Sequence, residues 1–183
     1  VIKHLRSKNI MAVVAMNTLI QSYCKDEDLD SMGRAMTLFT ELLWAKNVSP
    51  DIQTVNIVIQ GWIRLGRMGM CMEMYHSLMF GKYHNLRPDV VTYNTVITGL
   101  GLCRQVREIS TAERVMGDLI HDSSVNLCTR SFDSLIRGFS RMLCGSDECH
   151  SWHVHRWRVD RMYYWLSIMQ YHGLQPTHFT RVS

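Results

Sequence analysis

One short motif returns along this chain about every 39 residues. Four look-alike strings, MNTLI, VNIVI, YNTVI and FDSLI, place a polar residue at the same point of each copy, at Asn17, Asn56, Asn94 and Asp133. The three prolines of the chain follow the same period, at Pro50, Pro88 and Pro176. Repeats of this length are single supersecondary units that cannot bury their apolar faces alone, so neighbouring units stack on one another. The sequence therefore predicts a repeat array, and function is sought in residues that recur once per repeat.

Each unit has the pattern of two amphipathic helices. Apolar residues of the first helix recur at i, i+3, i+4 and i+7, which is the stripe of a half-buried helix. The four stripes are Met16, Leu19, Ile20 and Tyr23; Val55, Val58, Ile59 and Trp62; Tyr93, Val96, Ile97 and Leu100; and Phe132, Leu135, Ile136 and Phe139. A shorter second stripe follows in each unit, at Ala35, Phe39 and Leu42; Cys71, Tyr75 and Leu78; Ala112, Met116 and Leu119; and Met162, Leu166 and Met169. No long alternating strand pattern competes, so the chain is predicted to be all-α.

A small residue precedes the last apolar member of each first stripe, at Ser22, Gly61, Gly99 and Gly138. Glycine inside a helix costs about 1 kcal/mol in helix propensity relative to alanine. A recurring cost of this kind indicates close packing, and we expect a neighbouring helix to approach at these positions.

The string VVTYNTVITGL at residues 90–100, with RPD directly before it and a two-helix unit after it, resembles a pentatricopeptide repeat. The related tetratricopeptide repeat has a 34-residue period and a Trp, Leu-Gly and Tyr signature that this chain lacks. The resemblance implies a right-handed α-solenoid of helix-turn-helix repeats that binds RNA. It covers four repeats, at 13–51, 52–89, 90–128 and 129–177, the last with an insertion near 143–156. Residues 1–12 are interpreted as the last helix and turn of a preceding repeat, and residues 178–183 as the start of a further one.

In the resembled family two side chains per repeat read one base: a polar residue of the first helix and the last residue of the unit. Carried onto this sequence, the pairs are Asn17 with Asp51, Asn56 with Asp89, Asn94 with Cys128, and Asp133 with Thr177. Family rules assign Asn with Asp to uracil, so repeats one and two are expected to read two uridines. Repeats three and four depart from that pattern and are expected to read no base specifically, or to bind none. The residues that would sandwich successive bases are Val14, Gln53, Val91 and Arg130. The alternative is that the asparagines are polar helix residues satisfied by the adjacent repeat.

The net charge of +4 is modest, but the cations are placed regularly. Lys25, Arg64 and Arg141 occupy the same position in repeats one, two and four, and Arg104 lies close to it in repeat three. One cation per repeat suits the tracking of a phosphodiester backbone. Ordinary solvated cations that complement helix dipoles are the alternative.

The insertion of repeat four contains the string CGSDECHSWHVH at 144–155. Its Cys144, Cys149, His150, His153 and His155 have the donor types of a zinc site. The signal is weak, because there is no second CxxC pair and adjacent Cys149 and His150 rarely face one ion. We expect a loop that contacts a partner rather than a metal site, and no cofactor.

No nucleophile elbow, phosphate-binding loop or paired catalytic carboxylates are present, so the sequence does not predict an enzyme. No run of 18 apolar residues predicts a membrane span. Two functions remain open. One is a single-stranded RNA adaptor in organellar RNA metabolism or translation, in a mitochondrion or alternatively a chloroplast. The other is a structural part of a mitochondrial ribosome or similar particle, which holds ribosomal RNA and neighbouring proteins.

Overall fold

A computed structural model describes residues 2–45, 49–83, 86–103, 105–142 and 152–177, with side chains except those of residues 2–10, 152 and 154. These residues form eight α-helices and no strand, which confirms the predicted all-α class. The helices are α1 (Ile2–Lys25), α2 (Leu29–Trp44), α3 (Ile52–Arg64), α4 (Met68–Met79), α5 (Val90–Leu102), α6 (Val106–His121), α7 (Thr129–Arg141) and α8 (Trp152–Tyr171). None of these helices is both long enough and apolar enough to cross a bilayer.

The chain divides into two compact units, Val1–Thr92 and Tyr93–Ser183, of about equal size. In the first unit α1 packs against α2 and α3, α2 also contacts α3, and α3 packs against α4. In the second unit α6 packs against α7, and α7 packs against α8. The first helices α1, α3 and α7 thus contact both their own second helix and a neighbouring element.

The core of each unit is built from the predicted stripes. All first-helix stripe residues of repeats two, three and four are buried, from Val55 through Phe139. The expectation for the first stripe is wrong at Leu19, which is 42% exposed. Helix α1 contacts only α2 and α3 among the described elements, so nothing covers that face of the helix. In α8 the buried residues are Trp165 and Met169.

Gly61 and Gly138 act as packing devices, as predicted. A Cβ atom added to Gly61 would lie 2.8 Å from Met32 Sδ and 2.9 Å from Cys24 Sγ. A Cβ added to Gly138 would lie 3.0 Å from the Cα of Gly101. A methyl group does not fit at such distances without movement of the neighbour, so glycine lets the helices of each unit approach closely.

The turn predicted within residues 1–12 is wrong. Residues 2–12 continue without a turn into the helix that carries Asn17, because α1 runs unbroken from Ile2 to Lys25. Residues 1–12 contain neither proline nor glycine, so nothing in that stretch ends a helix. Of the insertion predicted near 143–156, residues 152–156 belong to α8. Residues 143–151 lie outside the described part of the chain.

Candidate nucleic-acid interface

Asp51, the last residue of repeat one, caps the first helix of repeat two. Its Oδ1 accepts a 2.8 Å hydrogen bond from the Thr54 backbone N–H, and the Thr54 hydroxyl oxygen accepts one of 3.1 Å from the Asp51 N–H. These reciprocal bonds form a capping box. Asp89 and Thr92 repeat the arrangement at the start of α5, at 2.8 and 3.2 Å. Local helix chemistry therefore fixes where each of these carboxylates lies.

Asn17 reaches this cap from the preceding helix. Its Nδ2 donates to Asp51 Oδ1 at 3.2 Å, and its Oδ1 accepts a 2.7 Å bond from the Thr54 hydroxyl. An ionised carboxylate can only accept hydrogen bonds, so it holds the NH₂ end of the amide towards itself. The amide of Asn17 consequently has one orientation.

Repeat two contains the same network. Asn56 Nδ2 donates to Asp89 Oδ1 at 3.1 Å, and the Thr92 hydroxyl donates to Asn56 Oδ1 at 2.7 Å. The structure therefore brings together both predicted Asn–Asp pairs. Each amide uses one N–H and one oxygen lone pair in its network, which leaves one N–H and one lone pair for another partner.

Both asparagines open on one groove of the first unit, with a volume of about 480 Å³. Asn17 is 8% exposed and Asn56 is 5% exposed, so only a small part of each side chain is accessible from the groove. The predicted sandwich residues Val14, Gln53 and Val91 are exposed and also line the groove. The remaining walls are Thr18, Gln21, Ile57, Gln60 and Asp89. The groove is thus mostly neutral and combines apolar surface with amide edges.

Repeat three has a weaker form of the network. Asn94 Nδ2 donates to Cys128 Sγ at 3.5 Å, and the Ser131 hydroxyl donates to Asn94 Oδ1. Burial raises the pKa of the Cys128 thiol, but hydrogen bonds from Ser131 and Asn94 outweigh it, so the pKa lies below its ordinary value. A thiol is a poorer acceptor than a carboxylate, so the orientation of Asn94 is held less firmly.

Repeat four places a carboxylate where the other repeats have an amide. The Thr177 hydroxyl donates to Asp133 Oδ2 at 3.0 Å, so this predicted pair also meets. Asp133 is 8% exposed, and its buried Oδ1 has no hydrogen-bond partner among the described residues. Thr180 has the sequence register of Thr54 but lies outside the described residues.

The predicted phosphate-contacting residues Lys25, Arg64 and Arg141 are exposed, and each is the last residue of its helix. This position complements the helix dipole and leaves the charge accessible to an anion. Arg130 is exposed as well, and Arg104 lies outside the described residues.

Across the described ranges, no three His, Cys, Asp or Glu side chains come together as a metal site would require. Of the weak zinc candidates, His153 and His155 are exposed on α8. Cys144, Cys149 and His150 lie outside the described residues. The loop that was expected to contact a partner stays a prediction for residues 143–151.

Sequence reasoning missed the hydroxyl that completes each network, at Thr54, Thr92 and Ser131. These side chains are buried and recur three residues after each second reader. The strings DIQT and DVVT carry that signal, because Asp before an apolar run is a preferred N-cap residue, whereas CTRS has Cys in place of the Asp.

Two family models match this chain, one described as the PPR repeat family at residues 50–103 and one as the PPR repeat at residues 14–43. The chain is a pentatricopeptide repeat protein. It is similar to the chloroplastic pentatricopeptide repeat-containing protein At3g09650 of Arabidopsis thaliana, with 22% identity over 70% of this chain and 15% of that protein. It is 32% identical to At3g53170 of the same plant over 61% of this chain and 24% of that protein. This pentatricopeptide chain therefore spans less than a quarter of the length of these relatives.

The pentatricopeptide repeat protein PPR10 from maize has a similar fold, with a TM-score of 0.68 and 22% identity over 92% of this chain and 20% of that one. Its complex with an 18-nt psaJ RNA element matches with a TM-score of 0.62 and 23% identity, over 91% of this chain and 21% of that one. These matches show an all-α helical-repeat solenoid fold for this pentatricopeptide chain.

Proposed function

We propose that this chain binds single-stranded RNA in organellar RNA metabolism or translation, and that repeats one and two read two adjacent uridines. The observation that carries the proposal is the pair of Asn–Asp–Thr networks that open on one groove of the first unit. Two networks one repeat apart suit the reading of one base per repeat.

The preference for uracil follows from the orientation of the amides. Each amide has one N–H donor and one oxygen acceptor left over, at ends that the network fixes, and uracil presents a carbonyl acceptor beside its N3–H donor. Cytosine presents the reverse order, an N3 acceptor beside an amino donor. To match cytosine the amide of Asn17 would have to turn over, which would place its oxygen against the Asp51 carboxylate. The fixed amide therefore favours uracil over cytosine.

The sandwich residues are placed to contact the faces of the bases that the asparagines are proposed to read. Val14, Gln53 and Val91 each lie three residues before a reader of their own helix and line the groove that the readers open on. Val14 and Val91 offer apolar surface to the face of a base, and Gln53 offers a flat amide. Contacts with the face of a base depend little on which base it is. These side chains therefore contribute affinity, while the asparagines contribute selectivity.

The comparisons support the class of ligand and the compartment. Maize PPR10 has been solved in complex with an RNA element, and two relatives of this chain are named chloroplastic. We propose an organellar location, mitochondrial or chloroplastic, on that basis. The exposed Lys25, Arg64 and Arg141 are proposed to contact phosphates.

Crosslinking tests the proposed contacts directly. A single-stranded oligoadenosine with two adjacent 4-thiouridines would be irradiated with the chain, and the crosslinked peptides would be mapped by mass spectrometry. We expect crosslinks in the peptides that carry Gln53–Asn56 and Val14–Gln21. Crosslinks confined to the second helices α2 and α4, which contribute no residue to the groove, would overturn the assignment of the groove.

A second candidate function is that of a structural component of a mitochondrial ribosome or similar particle, which holds ribosomal RNA and neighbouring proteins. The observation that favours it is the exposure of Trp44 at 82% and Phe80 at 77%, near the ends of second helices. Large exposed apolar side chains of this kind suit protein contacts. Co-sedimentation of the chain with organellar ribosomal subunits, lost in a Trp44→Ser/Phe80→Ser variant, would support this function. Free sedimentation would exclude it.

A further inference from the structure

We infer that Asp133 makes repeat four selective for guanine. This inference rests on the proposed RNA binding and extends it to a repeat that lacks the Asn–Asp pair. It replaces the sequence-based expectation that repeat four reads no base specifically.

Asp133 is presented in the same way as the asparagine readers. It occupies the register of Asn17 and Asn56 in its helix and has the same low exposure as Asn17. The Thr177 hydroxyl holds its Oδ2 at 3.0 Å, as the last residue of each earlier repeat holds its asparagine. The second oxygen, Oδ1, is buried without a hydrogen-bond partner among the described residues. A buried acceptor without a hydrogen-bond partner destabilises the folded chain, and a ligand that donates a hydrogen bond to it removes that cost.

The chemistry of a carboxylate selects the base. Both oxygens of an ionised carboxylate accept hydrogen bonds and neither donates. The base must therefore offer two adjacent donors, and guanine does so with its N1–H and its amino group. Uracil, cytosine and adenine each place an acceptor beside the donor on the corresponding edge, and that acceptor would face a carboxylate oxygen.

Two positions near Asp133 in helix α7 also differ from the corresponding positions of the other repeats. Repeat four has Arg130 three residues before the reader and Arg137 four residues after it, on the same side of helix α7. The positions are neutral in the other repeats, with Val14 and Gln21, Gln53 and Gln60, and Val91 and Thr98. Arg130 is exposed and Arg137 is half-buried.

These two arginines fit the same ligand. Their charges offset the repulsion between the Asp133 carboxylate and an RNA backbone. A guanidinium group is also the donor that proteins use most often on the O6 and N7 acceptors of guanine. A carboxylate and two guanidinium groups on one side of α7 therefore match the donors and the acceptors that guanine presents.

Base discrimination at one variable position tests the inference. Probes would be oligoadenosines that contain U-U-A-N or the reverse order N-A-U-U, with N as each of the four bases, because one base is read per repeat. We expect the full chain to bind one of the two series at least about fivefold more tightly with guanine at N. Asp133→Asn, which creates an amide at this position with no carboxylate to orient it, is expected to lose the guanine preference.

Asp160→Asn is the matched control, because it removes the same charge from an exposed site on α8. It should keep the guanine preference. Equal affinity for all four bases at N, with discrimination retained at the two uridines, would overturn the role of Asp133 and leave the proposed function intact. Loss of discrimination at every position would overturn both. The comparison of four bases on the unaltered chain decides the question even if the Asp133→Asn chain does not fold.

Discussion

Asn17 and Asp51 lie 34 residues apart in the sequence and are joined by a 3.2 Å hydrogen bond. The same Asp51 oxygen accepts the backbone N–H of Thr54 and caps helix α3. One carboxylate therefore starts the helix of the second repeat and orients the amide of the first. Asn56 and Asp89 are related in the same way. Helix capping and the proposed base reading thus depend on shared atoms, and substitutions at the cap are expected to affect both.

The first prediction concerns the hydroxyl of Thr54, which is fully buried. Thr54→Val keeps the shape of the side chain and removes one partner of the cap and of Asn17. We expect the free energy of unfolding to fall by about 1–2 kcal/mol. The ratio of affinities for uridine and cytidine should also fall at the base that Asn17 reads, because the amide is then less firmly oriented.

Urea denaturation and RNA titration check the two effects. Thr37→Val is the control, because the Thr37 hydroxyl is exposed and bonds only to the Gly33 carbonyl of its own helix. The shared-atom account is wrong if Thr54→Val loses stability while its discrimination between uridine and cytidine matches that of the unaltered chain.

The second prediction concerns close packing at Gly61. Gly61→Ala gains about 1 kcal/mol of helix propensity, but the new methyl group would lie 2.8 Å from Met32 Sδ and 2.9 Å from Cys24 Sγ. Overpacking of this kind costs about 1–3 kcal/mol, so we expect a net loss of stability. Gly33→Ala is the control in the same unit, because nothing lies within 4 Å of the added atom, and it should stabilise the chain. Thermal unfolding measures both, and an equal gain in the two variants would contradict the packing role.

The third prediction concerns the recurring cations. Changing Lys25, Arg64 and Arg141 together to alanine should reduce the slope of log affinity against log salt by about 2, since each lost contact with a single strand removes about 0.7. The control variant carries alanine at Arg34, Lys82 and Arg114, three exposed cations outside the first helices. It removes the same charge and should keep the steeper slope. Equal slopes for the two variants would show that the recurring cations do not contact phosphates.

The repeat period and the apolar stripes predicted the helices and most of the core, because burial at fixed helical spacing is visible in one sequence. The resemblance to pentatricopeptide repeats, not the periodicity, paired Asn17 with Asp51 and Asn56 with Asp89, and the structure joins each pair by a hydrogen bond. The sequence did not predict the exposure of Leu19, since exposure depends on what packs against α1. It also missed Thr54, because the Asp-x-x-Thr pattern marks only the start of a helix, whereas the bond from Thr54 to Asn17 depends on how the neighbouring repeat packs. The roles of these residues in RNA binding remain predictions.

The fourth prediction concerns thiol reactivity. Burial raises the pKa of the Cys24 thiol from its ordinary value of 9.0 to about 11, whereas the pKa of Cys128 is lowered. The thiolate is the reactive form, so Cys128 should be alkylated well before Cys24 in the native chain. The folded state holds the Cys24 proton more tightly than the unfolded state does. The free energy of unfolding should therefore fall as the pH rises from about 9 to about 11.

Iodoacetamide labelling followed by peptide mass spectrometry gives the order of reactivity, and denaturation across that pH range gives the stability. A Cys24→Ala chain should lose the part of the pH dependence that Cys24 contributes. Faster labelling of Cys24 than of Cys128 in the folded chain would show that the burial of Cys24 is not maintained in solution.

The most direct measurement is the affinity of the chain for an oligoadenosine that carries two adjacent uridines, compared with the same oligoadenosine that carries two cytidines. The account predicts tighter binding to the uridines by about 1–3 kcal/mol for each base that is read. Asn56→Ala should remove the preference at one base and reduce total affinity much less, because the phosphate contacts remain. Equal affinity for the two RNAs, or an Asn56→Ala chain with an unchanged preference, would contradict the assignment of these repeats as uridine readers.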